Sequence, residues 1–253
     1  GMVRDRSVSA IIPNMETVDI EVEVSEFIML NGAAPLPFVL SARDNAEENL
    51  RRKYRYLELR MEELQQNILI RHETYQAVRS YLSGLEFVEI ETPVLMKSTP
   101  EGARDYLVPS RIHQGKFYAL PQSPQIYKQI LMIANYDRYF QIVKCFRDED
   151  LRADRQPEFT QIDIEMSFID EEDIFVHMEG LTRHVFKSIR GIDLPDPFPR
   201  LTYADAMETY GSDKPDLRYG MQLQDVKDFT GASDFNAFKS AEKVKGIIVE
   251  GGA

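Results

Sequence analysis

An α+β fold, with long helices alongside a strand hairpin, is predicted for this 253-residue chain. Three observations carry that prediction. Apolar residues recur at three- and four-residue steps from Met61 to Leu82, two alternating strands face each other across a hairpin between Arg138 and Phe168, and a further helix covers about Asp173 to Ile189. Hydrophobic residues at 43% and charged residues at 28% match ordinary globular domains and exclude disorder, collagen-like repeats and a membrane-embedded protein.

The elements follow in order. Ile20, Val22 and Val24 alternate with Glu21, Glu23 and Ser25, the period of a half-buried strand. Asn31-Gly32-Ala33-Ala34-Pro35 then stops regular structure, and the charge-dense stretch 41–60 reads as a linker between a small β unit and a larger one. A long helix carries Met61, Leu64, Ile68, Tyr75, Val78 and Leu82 on one stripe, with Gly84 as its left-handed cap. Phe87 to Glu91 alternates as a strand that Thr92-Pro93 ends, because proline lacks the ladder N–H. Ser123 as N-cap and Pro124 at the first helical position announce a second helix with Ile126, Ile130 and Ile133 along one face.

The hairpin is the most informative segment. Phe140, Ile142 and Phe146 mark its first strand, and Thr160, Ile162, Ile164, Met166 and Phe168 mark the apolar face of its second. The opposite face of that second strand reads Phe159, Gln161, Asp163, Glu165 and Ser167, either the floor of a polar cleft or an ordinary wet face. Between the strands runs a charged loop from Asp148 to Glu158, far beyond the usual 2 to 5 or so residues of hairpin loops, and such loops tend to be functional. The chain ends in a segment from about residue 218 that mixes helix and strand signals.

Thirty Lys and Arg against 42 Asp and Glu give a net charge of −12, the wrong sign for holding nucleic acid by bulk electrostatics. Local patches remain, such as Arg51, Arg52, Lys53, Arg55 and Arg60 opposed only by Glu58, which also suit a solvated basic stretch. No apolar run approaches the roughly 20 residues that span a bilayer and no signal peptide is evident, so a cytoplasmic protein with no membrane partner is expected. The single cysteine, Cys145, has no partner for an internal disulfide, and four scattered histidines form no metal-ligand spacing, so no metal-site residue is assigned. His177 and His184, seven apart on one helix, read as packing or surface residues.

Arg147, Arg152 and Arg155 around the loop form a candidate anion site, since guanidinium forks match phosphate and carboxylate oxygens. Their acidic neighbours Asp148, Glu149, Asp150 and Asp154 would either neutralise them or hold a metal beside a phosphate chain. Neither GxxxxGK[ST] nor GxGxxG occurs, which excludes P-loop, Rossmann and kinase modes of nucleotide binding.

Phe146-Arg147-Asp148-Glu149 through Arg155-Gln156-Pro157-Glu158-Phe159-Thr160-Gln161 resembles motif 2 of the class II aminoacyl-tRNA synthetases, and Phe87-Val88-Glu89-Ile90-Glu91-Thr92-Pro93 after a long helix resembles motif 1. Glu101-Gly102-Ala103-Arg104-Asp105 and Leu120-Pro121-Gln122-Ser123-Pro124-Gln125 narrow the resemblance to the bacterial aspartyl-tRNA synthetase family.

That resemblance implies a class II catalytic core, an antiparallel sheet flanked by helices with motifs 1 and 2, over 61–217. It implies the end of an OB-fold anticodon-binding domain over 1–40, a linker over 41–60 and the start of an inserted α+β domain over 218–253. It also implies activation of L-aspartate with ATP and Mg²⁺ to an adenylate, transfer to tRNA(Asp), and a homodimer whose interface includes Pro93. Carried over residue by residue, Glu101 would bind the amino group of aspartate, and Gln125 and Lys128 its carboxylates. Arg147 would bridge aspartate and the α-phosphate as the catalytic cation, while Asp148, Glu149 and Gln156 would contact ATP and Phe159 would stack on adenine. Two residues keep a plain alternative: Lys128 as a surface lysine and Phe159 as core. Motif 3 and the residues that read the substrate side chain lie beyond residue 253 in that family, so this stretch alone is expected to be inactive. The alternative is a dimerising or nucleotide-binding module without catalysis.

Overall fold

A computed structural model describes residues 1–6, 19–40, 46–150, 152–249 and 251. The chain divides into two units, Gly1–Leu69 and Ile70–Ala253.

In the first unit, β1 (Met2–Asp5) and β2 (Ile20–Glu23) form an antiparallel ribbon. Ile20 and Val22 alternate as predicted, yet at 43% and 58% exposure they are not half-buried, since a two-stranded ribbon has no second layer of its own. Two short helices follow, α1 (Glu48–Lys53) and α2 (Arg55–Glu58), so the described part of the predicted linker is largely helical. Glu58 is buried and binds Arg51 at 2.6 Å and also Arg55. Burial opposes its charge, but the two guanidinium groups outweigh that and hold the carboxyl below its ordinary value.

The unit boundary falls within α3 (Glu62–Gly84). Val78 and Leu82 are buried as the stripe requires, whereas Ile68 is exposed. Gly84 is not the left-handed cap: it lies within the helix, and Glu86 instead takes φ 64°. The predicted strand 87–91 contracts to β3 (Val88–Glu89), which pairs in parallel with Tyr139 and Phe140; the other strand pairs in the described residues are antiparallel. β4 (Leu107–Pro109) pairs with β5 (Phe117–Ala119), and α4 (Gln125–Ile133) follows. Its cap is shifted by one residue from the prediction: Pro124 is the N-cap and Ser123 Oγ accepts from the Gln125 N–H at 2.9 Å. Ile130 and Ile133 on the predicted stripe are exposed.

β6 (Arg138–Phe146) and β7 (Glu158–Met166) form the predicted hairpin, in register Arg138↔Met166 through Phe146↔Glu158. Phe168 is not part of β7's apolar face: it sits past the strand's end at φ 56° and is exposed, while Ile162 is partly exposed. α5 (Glu171–Arg190) starts at a capping box in which Asp170 accepts from the Asp173 N–H and Asp173 returns the bond, and it ends on Gly191 at φ 67°. Val78, Leu82, Phe87, Phe140 and Leu181 form a buried cluster, against which Ile142, Ile164 and Met166 pack. His184 lies on Tyr81 with ring centroids 5.3 Å apart and His177 meets Phe87 edge-on at 5.7 Å, which makes both packing residues.

Beyond α6 (Tyr203–Tyr210), β8 (Leu223–Asp225) pairs with β9 (Lys245–Ile247), with α7 (Lys227–Thr230) and α8 (Asn236–Ser240) between them. No helix among the described residues is long and apolar enough to cross a membrane.

Candidate active site

The alternation of β6 and β7 sends one set of side chains to the apolar cluster and the other to the opposite face. On that opposite face the register pairs Tyr139 with Glu165, Gln141 with Asp163, Val143 with Gln161 and Cys145 with Phe159. α4 packs over both strands and brings Lys128 down onto it. Lys128 Nζ donates to Asp163 at 2.9 Å and lies 3.3 Å from Glu165, with its side chain 11% exposed. A plain surface lysine is therefore ruled out. Burial disfavours the ammonium, but the two carboxylates prevail and raise its pKa.

The face is layered with further polar contacts. Thr92 donates to Gln141 at 2.9 Å, Tyr139 donates to the same amide oxygen at 3.0 Å, and one carboxylate oxygen of Asp163 is buried with no hydrogen-bond partner among the described residues. Cys145, fully buried, has its thiol pushed up to about 11. Burial is the main cause; the Asp163 and Glu101 charges add to it, and Arg147 and Lys128 oppose it. Four charged groups from separate parts of the sequence thus act on one atom of the floor.

At the mouth of the hairpin a cavity of about 440 Å³ is lined by Arg147, Glu149, Asp150, Asp154, Arg155, Gln156 and Phe159. Arg147 stands over the Phe159 ring, 5.1 Å from its centroid, and Arg155 pairs with Glu149 at 3.6 Å. Phe159 is thus part of the cavity wall and not of the core. A second opening, lined in part by Arg104, Asp148, Glu149 and Arg152, lies alongside. Asp148 is held there by its backbone N–H, which donates to Arg104 at 3.0 Å.

Glu101 lies in the loop before β4, where Ser123 Oγ and Thr99 Oγ1 donate to its carboxylate at 2.8 and 3.0 Å. Gln125 opens α4, one turn before Lys128. The sequence-predicted residues therefore fall into two groups, Glu101, Gln125 and Lys128 at the start of α4, and Arg147, Asp148, Glu149, Gln156 and Phe159 at the loop. Pro93 is exposed. Asp163, Glu165 and Ser123 are polar partners that were not assigned as site residues; the alternation of β7 and the cap position are the signals that mark them. Among the described residues no three His, Cys, Asp or Glu side chains gather as metal ligands.

Comparison with known proteins identifies the family. The family model for class II tRNA synthetases (D, K and N) matches residues 47–243. An aspartate–tRNA ligase of Halalkalibacterium halodurans is 54% identical over 257 residues, covering 100% of this chain and 43% of the relative. An aspartate–tRNA(Asp/Asn) ligase of Oleidesulfovibrio alaskensis is 57% identical over 253 residues, covering 100% and 42%. An aspartate–tRNA ligase of Staphylococcus saprophyticus is 54% identical over 258 residues, covering 100% and 44%. The chain spans less than half the length of these curated relatives. With most of its length matched by the family model, and with the hairpin and its polar floor built as described, the chain belongs to the class II tRNA synthetases of the D, K and N group.

Proposed function

We propose that the full-length gene product is an aspartate–tRNA ligase, activating L-aspartate with ATP to aspartyl-adenylate and transferring it to tRNA(Asp). The observation that carries this reading is the place of Arg147, which lines the loop cavity beside Phe159 and directly follows β6, the strand whose polar face lies under α4 with Lys128. Attack of a carboxylate on the α-phosphorus brings two anions together, so a cation shared by both subsites lowers the barrier most. Glu101 accepts the substrate ammonium, and Gln125 and Lys128 bind its carboxylates. Gln156, Glu149 and Asp148 contact ATP.

Adenine stacks on Phe159, which requires the Arg147 guanidinium to leave or share that ring face. Mg²⁺ bound with ATP would find hard oxygen donors along the cavity wall in Glu149, Asp150 and Asp154, which do not gather into a cage of their own and so suit an ion held mainly by phosphates. Bound there, Mg²⁺ neutralises phosphate charge.

Names of the relatives, full coverage of this chain and identities of 54–57% support the substrate assignment. The antiparallel β1–β2 ribbon supports reading 1–40 as the end of an OB-fold, and the mixed elements after residue 217 support an inserted domain over 218–253. Exposed Val88, Val94 and Leu95 around Pro93 support a homodimer through the motif 1 region.

Aspartate-dependent ATP–pyrophosphate exchange with the full-length protein is the test. Arg147→Ala should lower kcat by about 10²- to 10³-fold, as loss of one preorganised donor does, and Arg147→Lys should restore little, because a point charge does not replace a bidentate fork. Exchange that needs no aspartate, or near-normal exchange in Arg147→Ala, overturns the reading, and no exchange at all leaves a non-catalytic module.

A further inference from the structure

We infer that Gln122 is the positioning residue that pins the 98–105 segment, and with it the Glu101 carboxylate, onto the entrance of α4. The inference rests on the aspartate-binding reading above and assigns a residue that touches no substrate in it.

Gln122 is 2% exposed and spends its whole amide on this segment. Its Oε1 accepts from the Ala103 N–H at 3.1 Å, and its Nε2 donates to the Ala103 carbonyl at 2.9 Å and to Asp105 at 2.5 Å. A side-chain amide that pairs with both polar groups of one residue imitates a rung of a β-ladder and fixes both height and orientation of the backbone it holds. Asp105 extends the grip, since its other oxygen accepts from Ser98 Oγ at 2.5 Å, at the segment's far end. Burial opposes charge on Asp105, yet the Ser98 and Gln122 donors and the Thr99 N–H hold the carboxyl below its usual value.

The base of the clamp is rigid. Pro121, next in chain to Gln122, accepts from the Phe146 N–H at 2.9 Å, at the end of β6 beside Arg147. On the other side of Gln122, Ser123 donates to Glu101. Three consecutive residues therefore tie the sheet, the segment and the substrate-facing carboxylate together. Gly102 makes the turn between Glu101 and Ala103 at φ 102°, a region that side chains rarely adopt, so the loop reaches Gln122 only through a glycine. Asp148 N–H on Arg104 then couples the same segment to the mouth of the hairpin.

The test uses the full-length protein with Gln122→Met and Gln122→Glu. In both, hydrogen–deuterium exchange over 98–105 should quicken about tenfold, the scale of one or two lost buried hydrogen bonds, with β6 and β7 unchanged. The KM for aspartate in pyrophosphate exchange should rise about tenfold, while the KM for ATP stays within about twofold, a split that general loss of structure does not give. Gln122→Glu should regain part of its aspartate affinity as pH falls from about 8 to about 6, because a buried carboxyl beside Asp105 titrates high and, once protonated, can donate again. Should Gln122→Met fail to fold, Gln122→Glu carries the measurement. Unchanged exchange over 98–105 overturns the inference, as does quickened exchange with an unaltered aspartate KM. Wild-type protein that does not respond to aspartate defeats the functional reading instead, and exchange over 98–105 alone then decides the clamp.

Discussion

The two faces of the β6–β7 hairpin are built from the same eighteen or so positions and are opposite in character. One carries Phe140, Ile142, Ile164 and Met166 into a cluster with α3 and α5; the other carries Tyr139, Gln141, Cys145, Gln161, Asp163 and Glu165 under α4. Burial on the first face gains apolar area, about 1.5–3 kcal/mol for a side chain such as Phe140. On the second, burial is tolerated because nearly every polar group has a partner. The difference teaches that one sheet can be scaffold and site at once, provided the site's charges are matched.

Truncation should therefore hurt on both faces, with a different remedy for each. Phe140→Ala is expected to cost about 3–5 kcal/mol through lost transfer energy and a cavity. Lys128→Met should cost a similar amount, about 3–5 kcal/mol, because it leaves the buried Asp163 and the half-buried Glu165 without their cation. Urea unfolding reads both. Only the second should be repaired by a further polar-to-apolar change: Lys128→Met combined with Asp163→Leu should regain much of the loss. If the double variant is no better than the single one, Lys128 does not serve as the matching charge and the contrast between the faces fails.

A smaller effect tests how tightly the scaffold side is packed. A Cβ at Gly180 would stand 2.0 Å from the Tyr81 hydroxyl and 3.1 Å from the ring carbon that bears it, so α5 lies close to α3 at that point. Gly180→Ala should lose about 1–3 kcal/mol by overpacking. Tyr81→Phe in the same chain should return most of it, since the oxygen is the atom in the way. Thermal melts of the two variants and the wild type are sufficient.

What the sequence made legible follows from period and chemistry. The hairpin, α5 and the polar row of β7 could be read because two-residue alternation and helical steps act locally. Glu101 and Lys128 could be named only through resemblance, and Arg147 without it only as one of three arginines of an anion site, since what brings them to one floor depends on α4 crossing the sheet, a non-local fact. The same limit explains the errors. Gly84 had the composition of a cap, but the turn is made at Glu86, where packing of Phe87 into the core sets the exit. Phe168 continued an alternation that the sheet itself did not continue. Gln122 carried no local signal, because a glutamine that binds a segment 19 residues away looks like any other.

The gentlest probe of the two faces is Cys145, which lies on the polar side and is fully buried there. Its thiol is raised from an ordinary 9.0 to about 11, by burial first and then by Asp163 and Glu101 against Arg147 and Lys128. The thiolate is the reactive form, so at pH near 8 the ionised fraction, and the reaction with a disulfide reagent, should be about a hundredfold lower than in the urea-unfolded chain even before steric protection. The sign for stability follows from the same shift. A group whose folded pKa is raised stabilises fully below 9.0, and that contribution is lost as pH rises through about 11. Substitutions of the charges should tune the rate in opposite senses: Glu101→Gln removes a charge that suppresses ionisation and should quicken modification, whereas Arg147→Ala removes one that promotes it and should slow it. A native thiol that reacts at the unfolded rate would put Cys145 in water. A rate that ignores both substitutions would separate it from the charges of the site, and either result would break the picture of a floor on which distant parts of the chain converge.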